Sequence, residues 1–176
     1  MDVQKAALDL TDARLLRRAF GAFATGVTVV TVGGPTPHGM TANSFTAVSL
    51  DPPLVLVCVD RQAIMHQGLA ENPSFGVSVL AANQEGVARY FADRRRPVGA
   101  EQFDAVDWTP GPHTGAPLIT GALAHFECDL WRSYDGGDHS IFVGLLRSVH
   151  RQPDDEALLF LHGRFRQAVR EPSGVA

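Results

Sequence analysis

The chain has 176 residues, 45% of them hydrophobic and 19% charged, with a formal net charge of −4 and a pI near 5.9. That is apolar material for one core and too much for a disordered chain, while the missing basic field argues against nucleic acid as a partner. No run nears the roughly 18 apolar residues of a membrane span, so no membrane partner is expected.

The first element in chain order is a helix over residues 11–25. Thr11 or Asp12 caps it, and Leu16, Ala19, Phe20 and Phe23 share one face. The β-branched run VTVVTV at 27–32 reads as a strand, and GGPTPHG at 33–39 as a turn. Residues 40–50 read as a second strand, stopped by Asp51-Pro52-Pro53. LVLVCVD at 54–60 reads as a strand covered on both faces. A short helix at 63–69, a strand at 75–81 and a helix at 84–91 come next. Residues 92–116 carry three consecutive arginines and form a long connection of the kind that is often functional. Strands are expected at 123–131, 140–149 and 158–161, with a short last one near Phe165.

Strands at short spacing, without strand–helix alternation, exclude a doubly wound sheet. They point to a mainly β fold with peripheral helices, an antiparallel barrel closed or partly closed. The whole chain, 1–176, is one domain, with its core at about 14–167 and flexible tails. The two cysteines, Cys58 and Cys128, each lie in an apolar run and fit a reducing cytosol, so the protein is read as cytoplasmic. The N-terminus has early acidic residues and no apolar stretch of signal-peptide length.

No G-x-G-x-x-G, P-loop, G-x-S-x-G or H-E-x-x-H occurs, and no histidine pair has the spacing of a metal site. Three segments draw attention instead. In TANSFTAVS at 41–49 both faces of a strand carry polar groups. Such a strand lines a planar polar ligand and its phosphate, or is an edge strand with a solvated face. In Gly136-Gly137-Asp138-His139 the glycines permit a sharp turn, Asp138 is placed to hold the His139 ring, and an ordinary hairpin accounts for the same pattern. After Phe91, the run Asp93-Arg94-Arg95-Arg96 is a phosphate clamp or a solvated helix end.

Taken in order, these pieces resemble the flavin reductase family that supplies reduced flavin to two-component monooxygenases. The carrying elements begin with ATGVTVVT at 24–31, with Arg18 upstream, and HGMTANSFTAVSLDPPLVLVCV at 38–59. FGVSVL at 75–80, RYFA at 89–92, GAPLI at 115–119 and FEC at 126–128 come after, then GDH at 137–139, GLL at 144–146 and LLFLHGRF at 158–165.

The resemblance implies a Greek-key, FMN-binding split β-barrel, usually a homodimer with the flavin near the subunit interface. It implies hydride transfer from NADH (or NADPH) to FMN or FAD, and a separate flavin-dependent monooxygenase as partner. NADH is the expected donor, since no arginine cluster flanks His139. By the same resemblance Thr41, Ala42, Asn43 and Ser44 line the flavin, and Cys58, Val59 and Asp60 pass beside the ring or ribityl chain. Phe91 lies nearby, Arg94 meets the phosphate, and Ser49 is a weaker candidate. His139, with Asp138, contacts the nicotinamide as a positioning residue; no metal is implied. The stretch PVGAEQF at 97–103 departs from the short lysine-bearing loop common there, which leaves FMN and FAD both open. A flavin-binding electron carrier of the same fold is the competing reading.

Overall fold

The computed structural model describes residues 10–152 and 156–168. The tails expected to be flexible fall mostly outside these residues. Helix α1 (Ala13–Phe20) is capped by Asp12, whose Oδ1 accepts from the N–H of Arg14 at 2.7 Å and of Leu15 at 3.3 Å. It ends five residues earlier than its apolar spacing predicts. Gly21 stops it, and Thr25–Gly26 instead form the two-residue strand β1.

Strand β2 (Thr28–Val32) is buried at every position. It pairs on one side with β3 (His38–Ala42) and on the other with β6 (Ser74–Val79). The single strand expected at 40–50 is two: β3, then β4 (Thr46–Leu50) after a break at Asn43-Ser44-Phe45. The cause is a change of partner, because β3 pairs with β2 while β4 pairs with β5 (Pro53–Asp60). β5 is also less covered than expected. Val55, Val57 and Val59 are buried, and the alternate residues are partly exposed.

Helices α2 (Ile64–Glu71) and α3 (Glu85–Ala92) lie within two residues of their expected bounds. The long connection holds a 3₁₀ turn at Gly99–Phe103 and β7 (Trp108–Pro110), which pairs with β8 (Pro117–Ile119). β9 (Ala124–Gly136) and β10 (His139–Arg151) form a long hairpin. β11 (Leu158–Leu161) and β12 (Arg164–Gln167) close the described chain and join β1 in a three-stranded sheet.

The main sheet has seven strands in the order β3-β2-β6-β9-β10-β5-β4, every neighbour antiparallel. Its two edges, β3 and β4, are separated in sequence by three residues yet do not pair. The sheet therefore curls until its ends meet and stays open there. β2 divides two apolar clusters. Val30 and Val32 pack with Val57, Met65, Phe75 and Phe142, while Val27 and Val29 pack with Leu80, Phe91, Phe103 and Leu158. Truncating a fully buried Phe75 or Phe91 to Ala costs about 3–5 kcal/mol in such cores.

A buried carboxylate ties the 111–115 turn to this frame. Glu127 Oε2 accepts from His113 N, Thr114 N and Thr114 Oγ1, and its Oε1 accepts from Ser148 Oγ. Burial acts to raise its pKa, but these hydrogen bonds prevail and hold it below the ordinary glutamate range.

Candidate functional site

At the opening between the sheet edges lies a cavity of about 440 Å³, within the range of about 300–1,000 Å³ usual for small-molecule sites. One wall is β3 and the break after it, with Met40, Thr41, Ala42, Asn43 and Ser44. A second wall is the end of β5, where Cys58 and Asp60 face in and His139 of β10 stands beside them. His139 and Asp60 are directly opposed in the β5–β10 ladder. The third wall is the end of α3 and the chain leaving it: Phe91, Ala92, Arg94, Arg96, Pro97 and Val98.

Most of the site residues expected from the sequence thus converge: Thr41, Ala42, Asn43, Ser44, Cys58, Asp60, Phe91, Arg94 and His139 all line the cavity. Three do not. Ser49 sits on β4 outside the lining. Val59 points into the apolar core, because strand alternation sends it away from Cys58 and Asp60. Asp138 stays outside, where its Oδ1 lies 2.7 Å from His139 Nδ1.

The hydroxyls at this site are already occupied. Thr41 Oγ1 donates to Ala88 O at 2.7 Å and ties β3 to α3. Ser44 Oγ donates to Cys58 O at 2.8 Å and accepts from Cys58 N at 3.1 Å, which laces the break to β5. These bonds hold the opening at a set width. The Asn43 side chain has no such bond among the described residues, so it and the backbone are left to meet a ligand. The Cys58 thiol is pushed up by burial and stays protonated, which disfavours a nucleophilic role.

The three arginines after α3 separate clearly. Arg95 pairs with Asp93 at 3.0 Å. Arg94 is 84% exposed and lies 3.8 Å from Asp60. Arg96, part of the run read as a phosphate clamp but not the residue the resemblance singled out, turns inward. Its Nη1 donates to Asp93 O at 2.8 Å, its Nη2 donates to Gly39 O, and its guanidinium lies over the Phe91 ring at 5.7 Å. Its Nη2 also lies 3.2 Å from His38 Nε2. Its Nε is buried with no hydrogen-bond partner, and no carboxylate forms an ion pair with it among the described residues.

His38 is held neutral beside it, since burial first and the Arg96 charge second push its pKa down to about 4. Gln102, fully buried, fastens the same corner. Its Nε2 donates to Pro37 O and Gly99 O, and its Oε1 accepts from Gly39 N. Gly39 is required there, because a Cβ would come within 2.6 Å of the Phe91 ring.

The arrangement fits a phosphorylated planar ligand. A half-buried guanidinium with no carboxylate in ion-pair contact among the described residues, a backbone-lined slot and a histidine share the cavity's lining. Fold and cleft together define a small antiparallel β protein with a nucleotide-sized site at its open seam.

Residues 20–168 match the family model of the flavin reductase like domain, and the chain belongs to that family. It is 59% identical over 160 residues to an NADH-dependent FAD reductase of Streptomyces globisporus, covering 91% of this chain and 88% of that protein. Among solved structures it is similar to the NADH:FAD oxidoreductase SgcE6 of Streptomyces globisporus in complex with NAD and FAD fragments. There the TM-score is 0.88 at 54% identity, over 97% of this chain and 99% of that one. BorF, the flavin reductase component of a bacterial two-component tryptophan halogenase, gives a TM-score of 0.88 at 59% identity, over 91% and 100%. Its structural neighbours are of the split-barrel fold.

Proposed function

We propose that this protein is an NADH-dependent flavin reductase that delivers reduced FMN or FAD to a separate flavin-dependent monooxygenase. The observation that carries the reading is Arg96, a half-buried guanidinium with no ion-pair partner among the described residues, lining a cleft that His139 also lines. Family membership and the likeness to NADH-dependent reductases support it. The two-component setting of BorF supports a partner on another polypeptide.

Hydride transfer from nicotinamide to flavin is chemistry that the two nucleotides bring with them. The chain's part is to hold and orient. Arg96 takes a phosphate, more directly than the exposed Arg94. Residues 42–44 present backbone groups and the Asn43 amide to the ring and ribityl chain. Cys58 and Asp60 border the same slot. His139 Nδ1 is engaged by Asp138, which fixes the ring and leaves Nε2 to meet the nicotinamide nucleotide. Phe91 closes the back of the cavity against water. No nucleophile is required, and positioning two planar groups in reacting contact is the main demand.

A homodimer belongs to the same proposal. Leu50 is 94% exposed, and Phe20, Phe23, Trp131 and Tyr134 are also open to solvent, apolar side chains that a second subunit would have reason to cover. Sedimentation at micromolar concentration tests it. No helix among the described residues is long and apolar enough to cross a membrane. Two free thiols support a cytoplasmic setting.

The deciding experiment tracks NADH absorbance with and without added FMN or FAD. Oxidation that saturates with free flavin supports the reductase and ranks the two flavins. Retained flavin with no NADH oxidation favours the electron carrier instead.

A further inference from the structure

His139 itself is held by β5, opposite Asp60, but the turn that precedes it overhangs the sheet. β9 pairs with β6 only from Ala124 to Asp129, and Leu130 N–H still donates to Pro73 O, so from Trp131 to Gly136 it has β10 alone. Residues 131–138 are all exposed. The turn itself is tight: Gly136 pairs with His139 across Gly137-Asp138, with Gly137 at φ +80, the glycine-first pattern of a II′ hairpin. β10 has β5 along its other edge from His139 onward, but the 131–138 arm and turn have no third strand to steady them. A histidine that orients a cosubstrate to within a fraction of an ångström needs firmer footing.

One residue at the end of β5 ties this turn down. Arg61 comes directly after Asp60, at the end of β5. Its N–H donates to Asp138 O at 3.0 Å. Its Nε donates to Gly137 O at 3.0 Å, and its Nη2 pairs with Asp135 at 3.2 Å. Asp135 Oδ1 in turn accepts from Gly137 N at 2.8 Å. The guanidinium and its backbone thus grip Asp135, Gly137 and Asp138, the residues that set the direction of His139. Arg61 does not line the cavity.

We infer that Arg61 is a positioning residue for the nicotinamide cosubstrate. It locks the 135–138 turn to β5 so that His139 faces the cleft, and it acts through His139 alone. The inference rests on the assignment of His139 to the nicotinamide side.

The test is a double-mutant cycle read in steady-state NADH kinetics with saturating flavin. Arg61→Ala is expected to lower kcat/KM for NADH about tenfold. The flavin dissociation constant and the melting temperature are expected to hold at their wild-type values. Arg61→Lys keeps the charge toward Asp135 but loses the planar fork, and recovers only part of the loss. In the His139→Ala background, Arg61→Ala is expected to have no further effect. Additive losses in the double variant overturn the inference, as does an Arg61→Ala enzyme with wild-type NADH kinetics or with flavin affinity lowered to the same degree. If His139→Ala itself leaves NADH kinetics unchanged, the assignment of His139 fails first and the inference falls with it.

Discussion

Arg96 and Arg61 serve the same cleft from two regions of the molecule, and their surroundings differ. Arg96 is half-buried, held by two carbonyls and a neutral histidine, with no carboxylate partner among the described residues. Arg61 is exposed and fully engaged, with Asp135 as counter-ion and Gly137 O as acceptor. A cation withheld from water without a counter-ion is electrostatically incomplete until an anion arrives. A cation already paired is part of the frame. The contrast distinguishes a ligand-facing arginine from a structural one without reference to any ligand.

The buried corner is expected to show the largest response, through pH. The folded pKa of His38, about 4, lies below its unfolded value of 6.5, so between these limits the unfolded chain binds the extra proton. This contribution to stability is complete above pH 6.5 and is lost as pH falls toward 4, by up to about 3 kcal/mol. Melting curves across that window read it, and His38→Gln should flatten this part of the profile. A wild-type curve level from pH 6.5 to 4.5 breaks the account of the buried corner.

Next in size, Arg96→Ala is expected to raise the flavin dissociation constant about 30-fold, the scale of a charge-assisted hydrogen bond lost. Isothermal titration or flavin fluorescence checks this. On the exposed lip, His139→Ala should raise KM for NADH about tenfold, or lower kcat correspondingly, and leave flavin binding intact. Unchanged NADH kinetics would sink that role. Smallest of all, Arg94→Ala should weaken flavin by less than about threefold, as befits an exposed charge. A loss equal to that of Arg96→Ala would erase the distinction between buried and exposed arginines.

Much of this was legible in the sequence. The β-branched run of β2 and the glycines of the β9–β10 turn predict their elements directly, because local preference and tertiary role agree there. The break at Asn43-Ser44-Phe45 was not legible. Thr, Phe and Val around it favour a strand, and only the switch from β2 to β5 as partner interrupts it. The choice among Arg94, Arg95 and Arg96 was equally hidden. It depends on a turn at Arg94-Arg95 after the extended Asp93, closed by Arg96 N–H on Asp93 O at 3.4 Å, which brings Arg96 back toward Gly39 and His38. Gln102 gave no signal either, since its partners are three backbone groups and the His38 ring, brought together only by the fold.

β2 is walled by apolar clusters on both faces and by strands along both edges. Opening any of its amides to solvent demands disruption of both clusters at once. Its protons should therefore exchange with deuterium only through global unfolding, while those at the outer edge of residues 131–136 exchange through local fraying. The cleft's β3 wall is paired with the first and His139 with the end of the second, so the two keep time on separate clocks.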